Sequence, residues 1–488
     1  MRQRKRTLLC LLGAGAVLVT AWGWRTAGQT GSGGVTVFEG ARLIAGDGSA
    51  PIENSAFIVA NSRFVEVGRK GQLTVPARAV HVDLAGKTVM PTMTDLHGHY
   101  GFQDVVQGNM SKAYYTRENL IDHLERLAYV GVGATVGVGD LLDRSDLHGG
   151  RTDWGDVPLR VRGEVIPNAA LFRTAGAGIA WPGSGPQGDP SRVDVPYPVS
   201  TVEEAKRAVD DYVKMKPLFI KIWVDDRGGT KKTLTPELYR AIAQQAHKYN
   251  VPVGVHNVTL ANAKELMRAG VEGWLHVPVR GGESVDDELI GIVKERIAKK
   301  DRPAMWITPD LMTAWMESQG GAKRPAWLDD PLLTDTYSPD QIEEYWGRPL
   351  AKMTLAAAQH SRQDFELQGR NAMRLRAAGM RFVEGTDTGQ NRFFVGYFNH
   401  LDLESMVAIG LTPSEAIVAA TRDSAEIAHV NSGVVAAGKS ADFIVLNANP
   451  LENIANTRRI DKVYLRGQEV DRAGLKLKWQ AKWSYQGR

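Results

Sequence analysis

Two histidines stand two residues apart in DLHGHYG, His97 and His99. On a strand, residues at that spacing share a face, so both imidazoles can reach one ion. Alone, the pair reads equally well as two hydrogen-bonded histidines at a strand end. Three further polar residues close short apolar runs: His256 in VPVGVH, His276 in GWLHV and Asp387 in FVEGTD. Singly, each is an ordinary structural histidine, cap or turn residue. Together, at equivalent strand ends, they point to one site. Lys221 adds a different oddity, since it occupies the centre of LFIKIWV, an otherwise bulky apolar stretch. A lone buried ammonium costs several kcal/mol or gives up its proton. A neutral amine can add carbon dioxide and become a carbamate, which behaves as a carboxylate able to bridge two cations. Snorkelling to the strand end, or pairing with Asp225, is the structural alternative; beside four histidines and an aspartate, the bridging role is favoured.

These residues need a scaffold that brings strand ends together. From Val89 onward the chain alternates strand and helix patterns: VMPTMTDLHGH, RENLIDHLERLAYVG, ATVGVGD, PLRVRGEVI, then a Gly/Pro-rich loop over 174–197. A helix follows, with Ser200 and Glu203 at capping-box spacing, and leads into LFIKIWV. Thr235 and Pro236 open the next helix. Eight strand candidates predict an α/β fold, a (β/α)8 TIM barrel over 89–428, whose active site lies at the carboxyl ends of its strands. Residues 309–368, rich in Trp and Pro, add helices over the barrel mouth. Short β-rich runs precede the barrel (33–88) and follow it (429–488), and pair most economically into one small composite β-sandwich domain.

The first 27 residues, MRQRKR followed by an uncharged apolar run and Arg25, match an export signal, with an uncleaved membrane anchor as the alternative. The protein is expected in the periplasm or secreted, and at a membrane only if that segment stays. Its loss removes five basic residues from a chain with 59 bases and 55 acids, leaving it near neutral and excluding a basic nucleic-acid surface. The single cysteine, Cys10, lies in the same segment, so any metal must be held by His, Asp, Glu or a modified Lys.

KTVMPTMTDLHGH, FIKIWVDD, VGVHNVTLANAKELMRAGVEGWLHV, VEGTDTG, LTPSEAIVAATRDSAEIA and SGVVAAGKSADFIVLNANPLENI together resemble the amidohydrolase superfamily, in its imidazolonepropionase-like and prolidase-like branch. That resemblance implies two divalent metal ions, zinc being the first choice. His97, His99 and Asp387 would hold the more buried ion, His256 and His276 the more exposed one, and carbamylated Lys221 would bridge them. A shared hydroxide would attack an amide carbonyl, with Asp387 passing its proton to the leaving nitrogen. The family's sixth strand commonly ends in Glu-His-Gly, where this chain has WLHVP. Its second strand often carries Arg-Asp, where this chain has GVGATVGVGD, with Asp140 close by.

The expected function is hydrolysis of a C–N bond in a small substrate such as a dipeptide, an N-acyl amino acid or a cyclic amide. An esterase, lactonase or phosphotriesterase on the same binuclear centre is the alternative within enzymes, and an exported binding protein without turnover the alternative outside them. A homo-oligomer is compatible with everything above. Tyr100, Trp181 and Trp315 read equally as pocket lining or as loop and core anchors. Arg227, just past the lysine strand, is either a contact for a substrate carboxylate or a solvated surface charge.

Overall fold

A computed structural model describes residues 34–486 except 107, 143–155, 187–191, 193–194, 300–303, 322 and 391. The expected export signal over 1–27 lies outside the described residues.

The architecture is of TIM-barrel type with an added β region. Its parallel strands are β1 (Met93–Gly98), β2 (Val132–Gly137), β3 (Leu171–Thr174), β4 (Ile220–Val224), β5 (Val253–Asn257), β6 (Gly273–Leu275), β7 (Trp306–Thr308) and β8 (Arg381–Phe382). β1 to β3 form one hydrogen-bonded run and β4 to β8 another. Leu218 N donates to Thr174 O (3.0 Å) between the runs at one seam, and Asp387 N to His97 O (2.7 Å) at the other.

Strand β4 explains how a lysine fits an apolar run. Ile220, Ile222 and Val224 join the large core shared with the helices. Lys221 and Trp223, on the alternate face, turn towards a cavity at the strand ends. The helix before this strand, Val202–Lys214, is capped by Thr201 with Glu204 closing the capping box, one residue later than the spacing of Ser200 and Glu203 suggested. Ser200 still contributes, donating to the same Glu204 carboxylate. The helix Pro236–Lys248 begins as expected after Thr235.

Two segments depart from expectation. PLRVRGEVI is no strand: residues Val157–Val161 form a short helix with Pro158 in its first turn, and the third strand comes later, at Leu171–Thr174. The tail of the chain, read as β patterning, ends instead in a helix, Arg472–Gln486. Its Trp479 is fully buried against Tyr129, with centroids 5.4 Å apart, and donates from Nε1 to Asp122 (3.1 Å). Residues 309–368 supply helices, as expected, among them Met312–Glu317 and the start of Leu355–Ala377.

Both ends of the chain build the smaller β region. One sheet pairs 36–39 with 55–60 and 80–83, and 55–60 with 63–69. The other sets 443–446 antiparallel to both 88–91 and 460–465. Phe38 and Phe57 of the first sheet pack on Phe443 of the second at 5.1 and 5.2 Å, and Phe443 stacks on Tyr464 at 4.6 Å. Phe443 is fully buried at this junction of N- and C-terminal segments. Phe443→Ala is therefore expected to lower stability by about 3–5 kcal/mol in urea unfolding; a loss below about 1 kcal/mol would mean the junction repacks freely.

Candidate active site

The strands deliver their polar ends to one place. His97, His99, Lys221, His256, His276 and Asp387 all line a single cavity of about 330 Å³. His97 lies on β1 and His99 just beyond it, while Lys221 and His256 lie on the neighbouring strands β4 and β5. His276 follows β6 and Asp387 follows β8, each with a positive backbone φ, +94° and +52°. Such conformations are costly for residues with a Cβ and occur where surrounding structure enforces them. Gly389 lets the loop after β8 close tightly, because a Cβ there would meet the His99 carbonyl oxygen at 2.5 Å.

The first and last strands are tied through their site residues. Asp387 Oδ1 lies 2.8 Å from His99 Nε2 and 3.3 Å from His97 Nε2. Behind them, fully buried Asp95 accepts from the backbone N–H of His97 (2.9 Å) and from the hydroxyl of Thr386 (2.6 Å). The rings of His97 and His276 sit 4.7 Å apart, and those of His256 and His276 5.0 Å apart.

Donor chemistry suits a divalent ion. His97, His99 and Asp387 each offer a ligand atom within 4.8 Å of the others. A second group, His97, His276 and Asp310, does the same and shares His97. His256 belongs to neither three-residue group; its Nε2 faces Asp225 Oδ2 at 3.2 Å, so Nδ1 is the nitrogen turned away from that carboxylate. His276 is held the other way round, with Nδ1 2.5 Å from Asp310 Oδ2 and Nε2 left for a ligand. Pairing one ring nitrogen with a carboxylate fixes tautomer and orientation, as metal-binding histidines require. Nδ1 of His97 and of His99 is buried without a hydrogen-bond partner. Nitrogen and carboxylate donors of this kind match zinc and several other first-row dications.

Burial dominates the electrostatics. It lowers the pKa of His97, His99 and His276, and brings His256 down to about 4, so the rings are neutral at pH 7, as ligands must be. Burial likewise brings Lys221 down to about 7, opposed by the charge of Asp387 and helped by Arg280 and Arg192. For Asp387 burial works upward, but His97 and His99 outweigh it and hold the carboxyl well below its usual range. Burial and then the Asp387 charge push Asp310 upward, an effect a nearby cation would reverse.

Asp310, Arg192 and Arg280 escaped the reading of the sequence. Asp310 ends WITPD, the seventh strand run, and so carried the same strand-end signal as His256 and Asp387. The two arginines lie beyond strands, where no periodicity marks them. Arg227, by contrast, does line the cavity. Tyr100, Trp181 and Trp315 are not among its lining residues: Tyr100 is fully buried and donates to Asp95 (3.1 Å), Trp181 meets Lys232, and Trp315 packs on the core.

Residues 352–470 match the amidohydrolase family model. A candidate prolidase from Bifidobacterium longum shares the fold at a TM-score of 0.65 and 24% identity, over 92% of this chain and 99% of its own. Residues 352–470 thus resemble the amidohydrolase family in sequence, and the chain as a whole shares the fold of this structure. A Xaa-Pro dipeptidase with methionine bound in its active site aligns at 0.65 and 18% identity, over 89% of this chain and 99% of its own. Molinate hydrolase aligns at 0.66 and 18%, over 91% and 96%. Comparison with curated proteins gives no match.

Asp140, just past β2, is buried and accepts from Tyr115 (3.2 Å) and Thr174 without lining the cavity. Burial raises its pKa to about 7 despite those two donors. The folded state then binds a proton more tightly than the unfolded state between about pH 4 and 7. Stability is accordingly lost as pH rises through that window. Asp140→Asn should remove this slope, so its stability relative to the natural chain widens by roughly 3–4 kcal/mol from pH 4 to 7 and is flat above. Parallel unfolding curves at all pH values would contradict it.

Proposed function

We propose that this protein is a metal-dependent amidohydrolase that cleaves a C–N bond of a small substrate, in the range of dipeptides, N-acyl amino acids and cyclic amides. The observation that carries this reading is the convergence of four imidazoles, a lysine amine and a carboxylate on one cavity. We take all six as metal ligands, His97, His99 and Asp387 for one ion, His256 and His276 for a second, with Lys221 as its carbamate between them. The lowered pKa of Lys221, about 7, supports carbamylation by leaving a sizeable neutral amine fraction near pH 7. The same reading takes the eight strands as a closed (β/α)8 ring beside a composite β-sandwich, with residues 1–27 directing export.

When bound, divalent ions supply Lewis acidity towards the carbonyl and lower the pKa of water. The chain does the rest. His97, His256 and His276, kept neutral by burial, offer lone pairs without competing protons. Asp225 and Asp310 hold two of the rings in a single orientation. Asp387, ionised and within 2.8 Å of His99, is the group placed to accept a proton at Oδ1 or Oδ2 and return it to the leaving nitrogen. Trp223 and Phe393 border the same cavity with apolar surface, limiting the water that reaches it.

A panel of dipeptides, N-acyl amino acids, cyclic amides, lactones and phosphotriesters tests the reading. Hydrolysis of at least one amide is expected, together with its loss on chelation and restoration by zinc or another dication. Lys221→Met and His97→Ala should each reduce kcat by 100-fold or more, an order of magnitude typical for disrupting a catalytic metal site. Amide turnover that survives chelation and both substitutions would reject the proposal.

A further inference from the structure

The tryptophan two residues past Lys221 has no part in holding a metal, yet the chain makes unusual room for it. Trp223 shares the inward face of β4 with Lys221 and lines the cavity, with 4% of its surface exposed. Its six-membered ring enters a slot between two glycines. A Cβ at Gly178 would meet the indole Cζ3 at 2.3 Å and Cη2 at 2.8 Å, and one at Gly139 would meet Cη2 at 3.3 Å and Cζ2 at 3.4 Å. Any side chain at Gly178 therefore collides with the ring, and any side chain at Gly139 crowds it.

Backbone hydrogen bonds fix the width of this slot. Gly139 N donates to Gly176 O (2.9 Å), joining the wall that follows β2 to the wall that follows β3. Gly178 O accepts from Tyr197 N (2.7 Å) and from the Tyr212 hydroxyl (3.0 Å). The slot also opens on the candidate metal site. A Cβ at Gly139 would stand 3.7 Å from His99 Nδ1, and the Lys221 amine lies 5.1 Å from the indole centroid. Without the indole, the cavity of about 330 Å³ would extend sideways between the segments after β2 and β3, into space that the braced walls cannot close. The glycines that end GVGATVGVGD and AGAG, which the metal ligands leave unexplained, are what lets the ring occupy that space.

We propose that Trp223 is a specificity-determining plug, which fills the slot between Gly139 and Gly178 and so confines the substrate to one with little bulk on the side of its scissile carbonyl that faces β4. This rests on the amidohydrolase reading and narrows it. Trp223 acts by volume and takes no part in bond breaking.

Two graded series of amides test the plug: N-acylglycines from acetyl through butyryl to benzoyl, and N-acetyl amino acids from glycine through valine to phenylalanine. In the natural chain, kcat/KM should fall about tenfold or more from the smallest to the largest member of at least one series, the scale on which pocket size discriminates. Trp223→Ala should erase that fall, chiefly through KM, with zinc content by atomic emission unchanged. Gly178→Ala should do the opposite, raising KM about tenfold across both series by driving the indole into the cavity, and adding Trp223→Ala to it should restore the behaviour of Trp223→Ala alone. A tryptophan that is only structural would lower all members alike and leave the ratio between them unmoved. Should Trp223→Ala fail to fold, Trp223→Leu takes its place and should erase part of the fall. A natural chain indifferent to size, a size ratio unchanged in the Trp223 variant, or additive penalties in the double variant would each overturn the inference. Calorimetry of the same amides on the zinc-loaded protein separates the two readings. If bulky amides bind better to the Trp223 variant but none is cleaved, the plug stands and the amidohydrolase reading falls; cleavage with an unchanged size ratio gives the reverse.

Discussion

The contact of Asp387 with His97 and His99 ties the last strand segment to the first, and it does so through residues of the proposed metal site. The same chain segments exchange backbone hydrogen bonds, Asp387 N to His97 O and His99 N to Thr388 O, each at 2.7 Å. Asp95 reinforces the seam from behind by accepting from both segments. Asp387 is held at a positive φ, a conformation its own backbone disfavours. The pairing of these two chain segments and the geometry of the proposed site are therefore one set of interactions, and a disturbance of either is felt by the other.

Burial follows from that seam. Once the strand ends meet, four imidazoles and an amine share a small space from which much of the water is excluded. Desolvation drives them towards their neutral forms, while Asp387, flanked by two rings, stays ionised. Neutral nitrogen donors around an anion are the state a dication would select. Asp225 and Asp310 refine it by choosing which nitrogen of His256 and His276 remains available, opposite nitrogens in the two rings.

Much of this was legible in the sequence, for a physical reason. Strand residues obey a two-residue period, so His97 with His99, and Lys221 within LFIKIWV, announce a shared face or an anomaly on one. Strand ends are equally readable, which is how His256, His276 and Asp387 could be gathered before any geometry was known. Asp310 carried the same signal but abuts a long insertion, and Pro309 read as the start of that insertion. Arg192 and Arg280 were illegible because loop residues owe their direction to distant partners, Gln390 and Val258. The helix Arg472–Gln486 was missed because the preceding β pattern was extended through it, although Leu475 and Trp479 stand at helical spacing and are both buried. In PLRVRGEVI the strand-like composition lost to Pro158, which suits the first turn of a helix.

The central claim is that the buried amine of Lys221 and the surrounding imidazoles form a single binuclear metal centre. Anomalous scattering from crystals grown with zinc and bicarbonate addresses it most directly. The account predicts two ions in the cavity, one beside His97, His99 and Asp387 and one beside His256 and His276, with carbamate density continuing from Lys221 between them. An unmodified Lys221 side chain turned away from the histidines, with no ion at either position, would contradict it.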